Sequence, residues 1–221
     1  LPGIGPFKPS FAGLPFPGIK VDILGENGKS APAGKEGDLV ILPPFSPGLF
    51  RNIYNNPQKY LETYWSKYGK EIYLTSDGAY KDENGLIRII GRVDDVIKVA
   101  GHRLSTGELE SVIEKHEDVT ESAVIGVPDE IKGEVPLAFV VSKNKDKPDE
   151  ALKKEVADLL RKEIGPISSL KAVYIVKDLP KTRSGKIMRR VLRNLLSGAE
   201  LGDLSTLSNP ESVEEIKKII I

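Results

Sequence analysis

The sequence predicts an α+β fold in two parts, a β-rich barrel-like subdomain followed by a small α+β domain. The first 50 residues hold 9 of the 16 prolines and 9 of the 21 glycines, which favours strands and turns over helices. Farther along, stretches of helical and strand-like periodicity alternate. The pattern changes near Arg92 to Asp95, so we assign residues 1–93 to the first part and residues 94–221 to the second.

Strand alternation and turn residues define the elements of the first part. Residues 19–24 and 37–41 read as short strands, and a glycine-containing turn follows the first of them. Residues 57–67 predict a helix with a proline in its first turn and one apolar face, made of Tyr60, Leu61, Tyr64 and Trp65. Residues 72–80 and 86–90 flank an Asn-Gly turn and therefore predict a hairpin.

The second part reads as β-α-β-β-α-β-α with one further helix at its end. Residues 93–99 are mixed apolar and acidic, and a capping box of Ser105 and Glu108 then begins a helix over residues 105–115. The later elements follow from periodicity and from the proline and glycine residues that end them. They are strands over 119–127, 135–141 and 172–176, and helices over 149–163, 185–196 and 211–219.

The overall composition excludes several classes of function. Hydrophobic residues make up 39% and charged residues 29% of the chain, as in ordinary globular proteins. The 32 basic and 32 acidic residues give a net charge of +0, so nothing draws the whole chain to nucleic acid or to an anionic membrane. No apolar run approaches the roughly 20 residues of a membrane span. The chain has no cysteine, which removes thiol chemistry and fits a cytoplasmic location.

Two stretches carry side chains that suit nucleotide chemistry, and a third stretch joins the two parts of the chain. Asp77, at a predicted strand end, can accept hydrogen bonds from the two hydroxyls of a ribose, or it can close an Asx turn. Arg103 precedes a helix N-terminus, where it can meet a phosphate or pair with Glu108 on the surface. Asp94 and Asp95 join the two parts. Taken alone, either acid can be explained as a charged residue that keeps a linker solvated.

A fourth stretch, residues 180–186, is a polar glycine-containing loop that ends in Lys186. It lacks the spacing of a Walker motif, but a lysine on a loop can deliver a point charge to a phosphate or a carboxylate. Between Lys177 and Arg193 there are 7 basic residues and one acid, which suits a nucleic-acid patch or a solvated helix face. His102 and His116 are 14 residues apart in a chain without cysteine, which argues against zinc.

Taken together, these stretches resemble the adenylate-forming superfamily of acyl-CoA synthetases. The resemblance rests on the order and spacing of TSDG (75–78), GRVDD (91–95), GHRL (101–104) and PKTRSGK (180–186). The longer runs 93–104 and 181–190, with GDLSTL at 202–207, are most similar to the acetyl-CoA synthetase branch. The resemblance covers nearly the whole chain. It implies that residues 1–93 end a large adenylation portion and that residues 94–221 form a mobile lid domain.

The resemblance implies an enzyme with a two-step reaction. A carboxylate, acetate first, attacks the α-phosphate of ATP in the presence of Mg²⁺ and gives an acyl-adenylate and pyrophosphate. The thiol of CoA then displaces AMP. By the resemblance, Asp77 holds the ribose hydroxyls and Arg92 contacts the nucleotide. Arg103 stabilises phosphate charge, the backbone at Asp94 is the hinge of the lid, and Lys186 enters the site for the first step.

The resemblance also implies contacts with CoA and a modification. Gly101 lines the tunnel for the pantetheine arm, Ala100 lies beside it, and Arg161 meets the nucleotide phosphate of CoA. Ala100 departs from the Ser or Lys that related enzymes often carry. Lys186 matches a site of reversible acetylation, which implies a lysine acetyltransferase and a deacetylase as partners, since acetylation removes the charge that the first step needs.

A structural Mg²⁺ is implied for the acetyl-CoA synthetase branch at the end of the helix that follows the hinge. Its ligands by the resemblance are Glu114, His116 and Val119. The alternative is an ordinary helix C-terminus with His116 near the negative end of the helix dipole.

Several expectations concern the whole protein. The chain begins at Leu1 and its only methionine is Met188, so we expect a part of a longer protein that alone makes no acyl-adenylate. Acetate is the expected substrate, and propionate and 3-hydroxypropionate are the alternatives. An alternative from a different class of function is that the chain is a separate, non-catalytic lid-like module that binds or regulates. The basic run between Lys177 and Arg193 contains no aromatic residue, which disfavours nucleic-acid binding.

Overall fold

The computed structural model describes residues 5–220, and for Asp94 it describes the backbone. The chain divides into two compact units, one that ends at Asp94 and one that begins at Asp95. A short 3₁₀ turn, Val93–Asp95, forms the junction in sequence. Among the described residues, no helix combines the length and the apolar character that a membrane span requires.

The first unit is built on an antiparallel sheet of four strands in sequence order. These are β1 (Lys20–Leu24), β2 (Gly37–Leu42), β3 (Tyr73–Lys81) and β4 (Ile87–Arg92). Within the described residues β1 and β4 form no ladder with each other, so the expected barrel-like subdomain is an open sheet in this chain. Buried Ile23, Ala31, Ala79 and Ile87 form its core. The predicted Asn-Gly turn is present, with Gly85 at φ +77 and its amide donating to the carbonyl of Asp82.

Helix α1 (Pro57–Tyr64) carries the aromatic face that its spacing predicts, with one exception. Tyr60 is buried, and the Tyr64 ring stacks on Tyr73 of β3 at 5.3 Å between centroids. Leu61 is 47% exposed, so its place on the predicted apolar face is wrong. The helix also ends at Tyr64 rather than at residue 67, and Trp65 is its C-cap.

The second unit is a mixed sheet between two pairs of helices. Its central hairpin is β7 (Val119–Asp129) and β8 (Gly133–Ser142), and β9 (Val173–Val176) lies parallel to β8. A smaller hairpin, β5 (Val96–Val99) and β6 (His102–Ser105), joins β8 through the pair Val99 and Gly133. The helices are α2 (Thr106–Ile113), α3 (Asp149–Glu163), α4 (Arg189–Ser197) and α5 (Pro210–Ile220).

Alternation along the central hairpin separates the two faces of this sheet. Val124, Ala138 and Val140 pack with the apolar side chains of α2 and α3. Their neighbours Ala123, Ile125, Leu137 and Phe139 pack with α4 and α5. Since successive side chains of a strand point to opposite faces, one pair of buried strands serves both layers of helices. The loop that carries Lys186 is anchored on the second of these faces, where Leu179 is buried and Ile187 packs against the same cluster.

Three local details differ from the sequence-based expectations. Strand β6 was not predicted, because residues 102–105 are too short and too polar for a strand signal. Ser105 is the N-cap of α2 as predicted, but its side chain makes no capping hydrogen bond. Helix α4 begins at Arg189 rather than at residue 185, because Gly185 has φ +80 and the preceding residues form a small hairpin.

Candidate active site

Asp77 and Arg92 lie side by side in the first unit. They are direct partners in the ladder of β3 and β4, and Arg92 Nη1 is 3.8 Å from Asp77 Oδ1. Both side chains are partly exposed, at 40% for Arg92 and 33% for Asp77. The arrangement offers a carboxylate that accepts hydrogen bonds beside a guanidinium that donates them, which suits a ligand with both hydroxyls and phosphate.

The backbone around Asp77 is distorted, although the strand does not end there as expected. Ser76 has φ +66, and the ladder shifts register between Gly78 and Ala79. The hydroxyl of Thr75 accepts a hydrogen bond from the amide of Asp77 at 3.2 Å and donates one to the carbonyl of Leu39 at 2.9 Å. Thr75 therefore closes the local turn, and the Asp77 carboxylate faces Arg92. Bulges of this kind often aim a side chain at a functional site.

Ala100 and Gly101 form the two-residue turn between β5 and β6. Both have positive φ, +48 and +85, the geometry that connects tight hairpins of this type. The amide of Ala100 donates to the carbonyl of Lys132 at 2.8 Å. Within residues 5–220, and apart from Gly101 and its two chain neighbours, no heavy atom lies within 4 Å of the position that a Cβ on Gly101 would take. Gly101 thus has a conformational reason to be glycine, and open space beside it.

Arg103 lies on β6 directly opposite Lys98 of β5. Side chains of directly opposed residues share one face of a hairpin, and like charges in that relation repel each other. An anion placed at this face relieves the repulsion, so the pair supports the expectation that Arg103 meets a phosphate.

Lys186 lies in a small hairpin that precedes α4. Lys181 and Ile187 form an isolated antiparallel bridge, and the amide of Thr182 donates to the carbonyl of Lys186 at 2.9 Å. The Thr182 hydroxyl accepts in return from the Lys186 amide at 3.1 Å. The Lys186 side chain is exposed while its backbone is fixed. The loop therefore presents a positive charge from a defined position, which electrostatic catalysis requires.

Residues 206–209 brace this hairpin from the side. The Arg183 amide donates to the Thr206 carbonyl at 3.1 Å, and the Asn209 side chain accepts from the Lys181 amide at 2.9 Å. Asn209 also donates to Asp178 Oδ2 at 2.7 Å. Partial burial alone would raise the pKa of the Asp178 carboxyl, but hydrogen bonds from Lys181, Asn209 and a backbone amide lower it. The charged carboxylate thus helps to hold the base of the hairpin.

A buried ion pair that the sequence analysis missed lies between α2 and α4. Glu110 is 7% exposed and binds the Arg189 guanidinium, which also lies near Asp95. Burial raises the pKa of the Glu110 carboxyl, with Arg189 acting in the opposite direction. One feature of the sequence pointed to this pair: Arg189 and Arg193 are four residues apart and therefore lie on the same face of a helix. From the sequence alone these arginines belong to a basic run and Asp95 is a linker acid.

The expected magnesium ligands lie at the end of α2. Glu114 is the C-cap of α2, and His116 Nε2 is 2.9 Å from Glu155 Oε2. His116, Asp118 and Glu155 each offer a ligand atom within 4.8 Å of the others, a donor set that fits a divalent cation. The Lys147 ammonium lies among these groups, 2.8 Å from Asp118 Oδ2 and hydrogen-bonded to Glu155. Val119 begins β7 and is buried, so only its backbone can serve.

Arg161 lies in the last turn of α3, beside Lys162, and is exposed. The helix ends at Glu163, Ile164 is its C-cap, and Gly165 follows at φ +110. Cations in the last turn stabilise a helix through its dipole, so the position of Arg161 also has a purely local explanation.

Comparison with known proteins places these motifs in context. A family model for the AMP-binding enzyme C-terminal domain matches residues 108–186. The acetyl-coenzyme A synthetase of Pyrobaculum arsenaticum is 52% identical over 213 residues, which are 96% of this chain and 32% of that protein. The acetyl-coenzyme A synthetase of Methanothrix thermoacetophila is 46% identical over 218 residues, covering 97% of this chain and 33% of that one.

Solved structures are similar as well. The ATP-bound structure of MatB from Rhodopseudomonas palustris matches 86% of this chain and 36% of its own, with a TM-score of 0.71 and 29% identity. The chain spans about a third of the length of the curated relatives that it matches.

Proposed function

Since this chain belongs to the adenylate-forming acyl-CoA synthetases, as their C-terminal portion, we propose that it is part of an AMP-forming acetate–CoA ligase. That enzyme converts ATP, acetate and CoA into acetyl-CoA, AMP and pyrophosphate through an acetyl-adenylate. The observation that carries the proposal is Lys186, exposed at a braced hairpin at the end of the segment that matches the AMP-binding C-terminal domain. A cytoplasmic location fits these soluble substrates.

In the first half-reaction, the acetate carboxylate attacks the α-phosphate and pyrophosphate leaves. Asp77 accepts hydrogen bonds from the ribose hydroxyls, and Arg92 beside it donates to the nucleotide. Arg103 faces phosphate charge, as its opposition to Lys98 favours. Lys186 bridges the attacking carboxylate and the α-phosphate, so it orients the attack and stabilises the charge that develops.

In the second half-reaction, the CoA thiol attacks the acyl carbonyl of the adenylate and AMP leaves. We propose that residues 94–221 form a lid that rotates about Asp94 between the two steps, since few residues need to change φ and ψ in such a hinge. Gly101 then lines the path of the pantetheine arm, with Ala100 next to it in the same turn. Arg161 binds the nucleotide phosphate of CoA.

Magnesium has two proposed places. An Mg²⁺ that binds with ATP would neutralise phosphate charge. A structural Mg²⁺ would be held by the carbonyls of Glu114 and Val119 and by His116, and the carboxylates of Asp118 and Glu155 would add negative charge nearby. Lys147 already supplies one positive charge to those carboxylates, so its ammonium competes with a divalent ion for them.

Lys186 is also the proposed site of regulation. Its exposure on a hairpin gives a lysine acetyltransferase and a deacetylase access to the side chain. Acetylation removes the positive charge without disturbing the hydrogen bonds that Thr182 makes to the Lys186 backbone. The modified enzyme therefore folds normally and fails in the first half-reaction.

Lys186→Ala in the whole enzyme tests this function. We expect acetate-dependent exchange between ATP and pyrophosphate to fall by about 10²–10³-fold or more, because a donor that stabilises the transition state is lost. Thioester formation from pre-formed acetyl-adenylate remains. Lys177→Ala is the matched control, since Lys177 is an exposed lysine that pairs with Glu215. Equal losses in both half-reactions would contradict the assignment of Lys186 to the first one.

A further inference from the structure

Resting on the proposed function, we infer that Arg189 is a positioning residue that ties the Lys186 hairpin to the first residue of the second unit. Arg189 is the first residue of α4 and lies three positions after Lys186. Its guanidinium contacts Glu110 on α2 and approaches Asp95, which follows the proposed hinge residue in sequence. The contacts make the hairpin and the residue after the hinge parts of one rigid body.

The bond to Glu110 fixes the guanidinium in two directions. Arg189 Nε donates to Glu110 Oε1 at 2.8 Å, and Nη2 donates to Oε2 at 2.5 Å. This paired geometry sets the plane of the guanidinium as well as its distance, which a lysine ammonium does not do. The guanidinium is mostly buried, with a side-chain exposure of 19%, so water competes little for these bonds.

Glu110 is itself held in place from the opposite side. Its Oε1 accepts a hydrogen bond from the amide of Val124 in β7 at 2.8 Å, and its carbonyl accepts one from Ser122 Oγ. The carboxylate therefore belongs to the central sheet as much as to α2. An arginine that binds this carboxylate is therefore attached to the buried interior of the unit, where side chains are closely packed.

Asp95 is bound to α4 by two arginines one turn apart. Arg193 Nη2 donates to Asp95 Oδ1 at 3.3 Å, and Arg189 Nη1 lies 3.9 Å from Oδ2. The Asp95 side chain is 20% exposed, so this is more than a solvated linker acid. A backbone change at Asp94 moves Asp95 first. The ion pairs pass that movement to the N-terminal end of α4.

The path from Arg189 to Lys186 is short and hydrogen-bonded. The amide of Met188 donates to the carbonyl of Pro180 at 2.8 Å, and Ile187 bridges Lys181. Lys186 therefore follows the start of α4 without a free joint between them. A lysine that bridges two reacting groups needs such placement, because a 1 Å error can lower the rate by about 10²-fold.

Three variants of the whole enzyme test the inference. Arg189→Lys keeps the charge and removes the paired geometry, and Asp95→Asn keeps the shape and removes the charge. Both should lower the kcat of ATP–pyrophosphate exchange by about 10–100-fold, with the KM for ATP nearly unchanged. Thioester formation from pre-formed acetyl-adenylate should change by less than about threefold, since Lys186 is not needed there. Arg190→Lys is the matched control, because Arg190 binds the carbonyls of Leu201 and Asp203 instead.

The outcomes separate this inference from the proposed function. If the unmodified enzyme shows no acetate-dependent exchange, the proposed function is wrong and the inference falls with it. If that enzyme is active but Arg189→Lys and Asp95→Asn lose both half-reactions equally, or neither, Arg189 only stabilises the fold and the inference is overturned. Should Arg189→Lys not fold, Asp95→Asn alone decides, because its side chain lies at the edge of the network. Full activity in Asp95→Asn would then overturn the inference that Arg189 links the Lys186 hairpin to Asp95.

Discussion

Gly101 has two explanations, and substitutions of different size can separate them. At φ +85, any residue with a Cβ is strained by about 1–2 kcal/mol. Gly101→Ala and Gly101→Leu share this cost, because beyond the two chain neighbours no heavy atom of the described residues lies within 4 Å of the added Cβ. We therefore expect both variants to lower the free energy of unfolding of the second unit by a similar amount. Gly101→Asn should cost less, since asparagine adopts positive φ more readily.

The two variants should differ in catalysis if Gly101 lines the path of the CoA thiol. A leucine side chain fills that path and an alanine methyl group does so far less. Gly101→Leu should therefore lower thioester formation from acetyl-adenylate by about 10²-fold or more through misplacement of the thiol, with Gly101→Ala affected mildly. Exchange between ATP and pyrophosphate should survive in both variants. The half-reactions are assayed separately, and thermal unfolding reports the strain.

The pattern across the two variants decides between the explanations. If Gly101→Ala loses as much thioester formation as Gly101→Leu, backbone strain in the turn is responsible and the tunnel assignment is wrong. Normal thioester formation in Gly101→Leu would remove Gly101 from the path of the thiol altogether.

Two further predictions concern the junction and the base of the Lys186 hairpin. Asp94→Pro fixes φ near −65°, so it should spare one half-reaction and impair the other, whereas Asp94→Ala should be far milder; equal damage by both would mean that the carboxylate itself matters. Asp178 has a pKa below its ordinary value of 3.8, so its stabilising effect is present above about pH 4 and is lost as the pH falls through the lowered pKa. Asp178→Asn should thus destabilise the second unit at neutral pH and weaken its response to acid, as measured by unfolding across pH; an unchanged acid response would contradict the role of Asp178.

Short-range signals gave most of the elements correctly. Strand alternation, Asn-Gly turns and helical periodicity depend on neighbours within a few residues, and these predicted β1 to β4, the central hairpin and helices α2, α3 and α5 near their observed positions. The errors in the predicted elements also have local causes. A glycine with positive φ moved the start of α4 from residue 185 to Arg189, and a polar four-residue strand, β6, gave no periodicity to detect.

Motif order in the sequence was enough to identify the family, because those motifs carry their chemistry in fixed spacing. The tertiary structure decided which side chains meet. Arg92 and Asp77 are neighbours only because β3 and β4 pair in one register. Glu110 and Arg189 are 79 residues apart, and Arg193 and Asp95 are 98 apart. No periodicity spans such distances, so the packing of α2 and α4 against the central sheet alone turned a basic run and a linker acid into one buried network.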